Sequence, residues 1–126
     1  MARKKKNEVN EDSLADLVIE AIKEKKGQSI VKIDLQSIKY SVCDYFIICQ
    51  AESTTQVSAI ADEVEKEAYL KHHVKPHHIE GRENAQWILV DLFDVVVHIF
   101  QSEYRKFYNL EDLWSDGKIT AIPDSY

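Results

Sequence analysis

The chain has 126 residues, with 16 Lys+Arg against 22 Asp+Glu and a formal net charge of −6. That length fits one domain, and 44% hydrophobic with 30% charged residues excludes a disordered chain, while three Gly and two Pro exclude collagen-like or linker-rich architectures. Arg3, Lys4, Lys5 and Lys6 gather at the N-terminus and leave −10 on the rest, a body that repels bare nucleic acid or an anionic membrane and favours a basic partner surface.

Residues 1–12 read as a flexible basic tail. They lack the apolar stretch of a secretory signal, and no run in the chain approaches the ~20 apolar residues of a membrane span, which points to the cytoplasm and away from a membrane. Ser13 and Asp16 form a capping pattern, and Leu14, Leu17, Val18, Ala21 and Ile22 recur at helical spacing. Lys23, Lys25 and Lys26 suit the negative end of that helix, and Gly27 is expected to supply its left-handed stop. A strand follows over Ile30 to Leu35, with Val31, Ile33 and Leu35 on one face. The run from Asp44 to Cys49 is short, nearly all apolar and bounded by polar residues, so it reads as a strand buried on both faces. Cys43 and Cys49 flank or join that run without Cys-x-x-Cys spacing, and read as small core residues rather than a disulfide.

Ser53-Thr54-Thr55-Gln56 is a capping box, and Val57, Ile60, Ala61, Val64 and Ala68 make the apolar stripe of a second helix, with Pro76 beyond its end. Three strands are expected next: a weak one over His77 to Glu80, then Trp87 to Leu92 and Val95 to Phe100, the last two joined by a hairpin at Phe93-Asp94. A short helix covers Ser102 to Tyr108, and Leu110, Leu113 and Trp114 mark a segment that folds back. The tail from Gly117 to Tyr126 is expected to be mobile. The order α-β-β-α-β-β-β-α implies an α/β (α+β) fold, a mixed sheet flanked by helices over residues 13–116.

Three constellations invite chemistry. His72, His73, His77 and His78 cluster as potential metal ligands, but Pro76 denies them one helical face and neither cysteine completes a set, so no metal is expected. Asp91, Asp94 and His98 could serve acid–base catalysis, with the two carboxylates holding a divalent cation. Against this, Asp is favoured beside turns for its backbone hydrogen bonds, and a lone His on an apolar strand commonly packs. There is no Gly-x-Ser-x-Gly and no Gly-rich phosphate cradle, so neither a nucleophilic site nor a cofactor is expected. The aromatics crowd the last third: Trp87, Phe93, Tyr104, Phe107, Tyr108 and Trp114. Ile88, Val90 and Leu92 form a core face, while Trp87 and Leu89 share the other with Asp91. That mixed face is either a docking surface or a cover buried under the C-terminal helix.

Asp44-Tyr45-Phe46-Ile47-Ile48-Cys49, Ser53-Thr54-Thr55-Gln56-Val57, Ala61-Asp62-Glu63-Val64, Glu80-Gly81, Trp87-Ile88-Leu89-Val90-Asp91 and Asp94-Val95-Val96-Val97-His98-Ile99-Phe100 resemble the ribosomal silencing factor (Iojap-related) family. Arg105 and Tyr108-Asn109-Leu110-Glu111-Asp112-Leu113-Trp114 are similar to its C-terminal signature. The resemblance implies a nucleotidyltransferase-like fold without that activity. It also implies binding to protein fourteen of the large ribosomal subunit, which blocks joining of the small subunit and represses translation under nutrient limitation. The contact residues expected for such a factor are Trp87 as anchor, Asp91 and Asp94 as charge partners, and Phe93, His98 and Tyr108 as the surrounding contact or its support. Arg3, Lys4, Lys5 and Lys6 would add weak contact to ribosomal RNA, and an exposed sheet edge permits a homodimer. The alternative is a metal-dependent nucleotidyltransferase-like enzyme using Asp91 and Asp94; the Gly-Ser helix start it needs is replaced here by Ala51-Glu52-Ser53. The chain further departs from the family at Thr55, where an Arg or related polar residue is common, and at Phe93, where Gly is common.

Overall fold

The capping signals place the helices. In the computed structural model, which describes residues 13–39, 41 and 43–124, Ser13 Oγ accepts the Asp16 N–H at 3.1 Å to open α1 (Leu14–Glu24). Ser53 Oγ accepts the Gln56 N–H at 3.1 Å to open α2 (Thr54–His72). The left-handed residue after α1 is Lys26 (φ 62) rather than Gly27. Gly27 is required for space instead: a Cβ there would lie 2.3 Å from Ile22 Cγ2. The basic tail, with Arg3, Lys4, Lys5 and Lys6, lies outside the described residues. Among those described, no helix is long and apolar enough to cross a membrane.

Among the described residues, six strands form one mixed sheet: β1 (Gln28–Asp34), β2 (Tyr45–Ala51), β3 (His78–Glu80), β4 (Trp87–Asp91), β5 (Val95–Gln101) and β6 (Lys118–Ile122), in the order β3-β4-β5-β2-β1-β6. Only β2 and β5 run parallel, with Tyr45 opposite Val95 and Ala51 opposite Gln101. They are the central strands, and their near-continuous apolar sequences are buried on both faces. One face packs on α1 and α2 through Val18, Ile22, Ile60, Val64, Ile47, Ile88, Val97 and Ile99. The opposite face gathers Ile33, Leu35, Phe46, Ile48, Val96 and Phe100 under α3 (Ser102–Tyr108) and α4 (Leu110–Leu113), which meet at left-handed Asn109 (φ 45). Both cysteines are buried and unpaired, and burial raises the thiols to about 11 for Cys43 and about 12 for Cys49.

The expected mobile tail needs correction. Residues 118–122 are an edge strand antiparallel to β1, with Ile30 opposite Ile122 and Asp34 opposite Lys118. Gly117 admits it by close approach, since a Cβ there would sit 2.7 Å from Ile33 Cγ2. Four of the five strand residues are exposed, so the backbone ladder rather than side-chain burial holds β6, and hydrophobic patterning carries little sign of it.

Candidate docking face

The antiparallel register of β4 and β5 sets Trp87 opposite Phe100, Leu89 opposite His98 and Asp91 opposite Val96. Because side chains alternate along each strand, all six project from the sheet face away from α1 and α2. Phe46 of β2 extends that row, and Tyr108, Leu110 and Trp114 roof one end of it.

Trp87 is half-buried. Its ring stacks on Phe100 (centroids 5.1 Å apart, 24° between planes) and meets Tyr108 at 4.4 Å. Its indole N–H donates to His98 Nδ1 at 3.1 Å. His98 is 4% exposed and burial lowers its pKa from 6.5 to about 4, so the imidazole is neutral at pH 7. To accept from Trp87 it must carry its proton on Nε2, which is buried without a partner among the described residues. Phe46 meets the imidazole edge-on at 4.7 Å, and Trp114 meets Phe46 at 5.3 Å. His98 is therefore no surface contact: it fixes the indole from behind.

Asp91 closes the hairpin. Its Oδ1 accepts the Phe93 N–H at 2.9 Å, and its Oδ2 lies 3.7 Å from His78 Nδ1. Phe93 sits at φ 74 with its ring 57% exposed and 5.2 Å from His77. A left-handed conformation is costly for a bulky L residue, and the aspartate bond helps hold it. Asp94 is exposed, and its carbonyl accepts from the Asp44 and Tyr45 N–H groups at 2.9 and 3.1 Å. Of the residues weighed for acid–base chemistry, His98 Nδ1 is committed to Trp87 and Asp91 Oδ1 to the turn.

The histidine cluster divides. His72 ends α2 and His73 caps it at φ 56, while His77 and His78 stand beside the hairpin. His78 Nε2 lies 3.1 Å from Glu80 Oε2. No group of three or more His, Cys, Asp or Glu side chains suited to a metal comes together among the described residues. Sequence reasoning missed the placing of His77 and His78 against Phe93 and Asp91, a consequence of β3 pairing with β4. It also missed the burial of Arg105, which donates to Ser29 O (2.6 Å), Gln50 Oε1 (3.1 Å) and Glu111 Oε2 (2.7 Å).

The face is thus an apolar, aromatic surface with an acidic, strained turn at one end. The sequence profile described as "ribosomal silencing factor during starvation" matches residues 7–125. The chain is 39% identical over 114 residues to the ribosomal silencing factor RsfS of Halalkalibacterium halodurans, covering 90% of this chain and 96% of that one. It is equally similar, 39% over 114 residues, to the RsfS of Bacillus subtilis, with coverage of 90% and 95%. A crystal structure of a protein from Chromobacterium violaceum superposes with a TM-score of 0.77 at 30% identity, over 93% of this chain and 97% of that one.

Proposed function

The chain belongs to the ribosomal silencing factor family, and from that premise we propose that it docks on protein fourteen of the large ribosomal subunit and blocks joining of the small subunit by occupying its space. Translation falls in consequence under nutrient limitation, in the cytoplasm. The observation that carries this reading is Trp87: a half-buried indole, oriented by a neutral buried histidine, on a sheet face roofed at one end only. Large aromatics held in this way are the usual anchors of protein interfaces.

Electrostatics supports the choice of partner. Asp91 and Asp94 border the face at its turn, and the acidic body approaches a basic ribosomal protein faster and in a preferred orientation. Tyr108 adds exposed aromatic area beside Trp87, and Phe93 adds it at the hairpin beyond the far end of β4. Arg3, Lys4, Lys5 and Lys6 supply weak, salt-sensitive contact to nearby ribosomal RNA. The mode of action is occupancy rather than catalysis, in keeping with the commitment of Asp91 and His98 to structural bonds.

Co-sedimentation with purified large subunits tests the proposal. The wild-type chain is expected to migrate with free large subunits and to reduce their joining with small ones. Trp87→Ala should weaken binding by about 2–4 kcal/mol. A wild-type chain that stays at the top of the gradient refutes the reading.

A further inference from the structure

We propose that Phe107 is a second anchor, extending the docking face from Trp87 outward along α3 to receive an arginine-bearing patch of the same basic partner; this rests on the reading above. Three rings carry it. Trp87 is half-buried, Tyr108 lies 4.4 Å from it and is 47% exposed, and Phe107 lies 6.4 Å from Tyr108 and is 82% exposed. The row climbs from the sheet into solvent, and its outermost ring contributes almost nothing to the core.

The helix that presents Phe107 is fastened. Arg105, two residues earlier and 9% exposed, binds the Ser29 carbonyl on β1, Gln50 on β2 and Glu111 on α4 at 2.6–3.1 Å. Ser29 is a left-handed residue (φ 51) at a bulge where the β1–β2 register shifts. The guanidinium thus ties α3 to two strands and to the next helix. The backbone under Phe107 and Tyr108 is set before any partner arrives, which lowers the ordering cost of association.

Charge around the corner selects the occupant. Glu103 is exposed one helical turn before Phe107, Asp112 is exposed on α4 and accepts from Asn109 Nδ2 at 2.7 Å, Lys106 is the exposed cation of α3, and Arg105 is already matched by Glu111. A guanidinium stacks on an exposed aromatic ring while pairing with neighbouring carboxylates, and does both better than an ammonium. The same acids oppose an RNA backbone, and a second copy of this chain would bring them face to face.

The test measures affinity for free large subunits with Phe107→Ser and Phe107→Tyr, beside Trp87→Ala. Phe107→Ser should bind about tenfold more weakly with an unchanged melting temperature, while Phe107→Tyr should bind like the wild type. If Trp87→Ala loses binding and Phe107→Ser does not, this inference falls and the docking reading stands. If the wild type itself does not bind, both fall. If Phe107→Ser changes the oligomeric state of the free protein but not its subunit affinity, the ring serves self-association and the inference is overturned.

Discussion

Phe93 offers a way to separate backbone strain from partner contact. Phe93→Ala and Phe93→Gly both delete a ring that is 57% exposed and rests on His77, so each loses the same burial, about 1 kcal/mol. They differ at the backbone. At φ 74 an alanine keeps the left-handed cost of about 1–2 kcal/mol, which glycine does not bear. Glycine's extra freedom in the unfolded chain offsets about 0.5–1 kcal/mol of that gain. The glycine variant should therefore be the more stable by about 0.5–1 kcal/mol, the reverse of the usual order, or about 2–4 °C in melting temperature for a domain of this size. Urea unfolding followed by tryptophan fluorescence reads the difference. An alanine variant as stable as the glycine one would refute a strained turn. Subunit binding is a separate readout: both variants should weaken equally, about tenfold for an aromatic interface contact, and wild-type affinity in the glycine variant would remove Phe93 from the interface.

Two further expectations concern the support behind the face. Burial holds His98 near 4 against 6.5 in the unfolded chain, so below pH 6.5 the unfolded state binds a proton that the fold refuses. The stability this neutral imidazole contributes is complete above pH 6.5 and is lost as pH falls toward 4, about 3 kcal/mol in all. Between pH 7 and 5 the wild type should lose about 2 kcal/mol more than His98→Gln in urea unfolding, and parallel losses would refute the assignment. Arg105→Met should cost about 2–4 kcal/mol in the same assay, since it strands a bulge carbonyl, an amide and a carboxylate that is only 29% exposed. A cost below about 1 kcal/mol would mean that the latch is solvated.

The elements legible in the sequence were those whose signals are local. Ser13 and Ser53 opened their helices because a side-chain oxygen three residues before an unpaired N–H is a short-range device. The alternation of Trp87, Leu89 and Asp91 against Ile88 and Val90 separated the two faces of β4 correctly, because strand period does not depend on the rest of the fold. What escaped was decided at a distance. β6 exposes most of its side chains, and only its ladder to β1, some ninety residues away, makes it a strand. The burial of Arg105 is set by Ser29, Gln50 and Glu111, which close around it from three elements. Gly27 was expected for its conformational freedom and is needed for its missing Cβ.

The parallel pairing of β2 with β5 also governs how the chain can reach this structure. Tyr45 meets Val95 only after α2 and the β3–β4 segment have been laid down between them, so the two most apolar strands are joined by a long-range contact at the centre of the sheet, with the loop-closure cost that entails. The β4–β5 hairpin can form early from neighbouring residues, whereas Phe46-Ile47-Ile48-Cys49 and Val95-Val96-Val97 wait for each other with their edges open. Folding is then slower than for a helical protein of the same length, and the unfinished chain exposes two aggregation-prone strands during that interval.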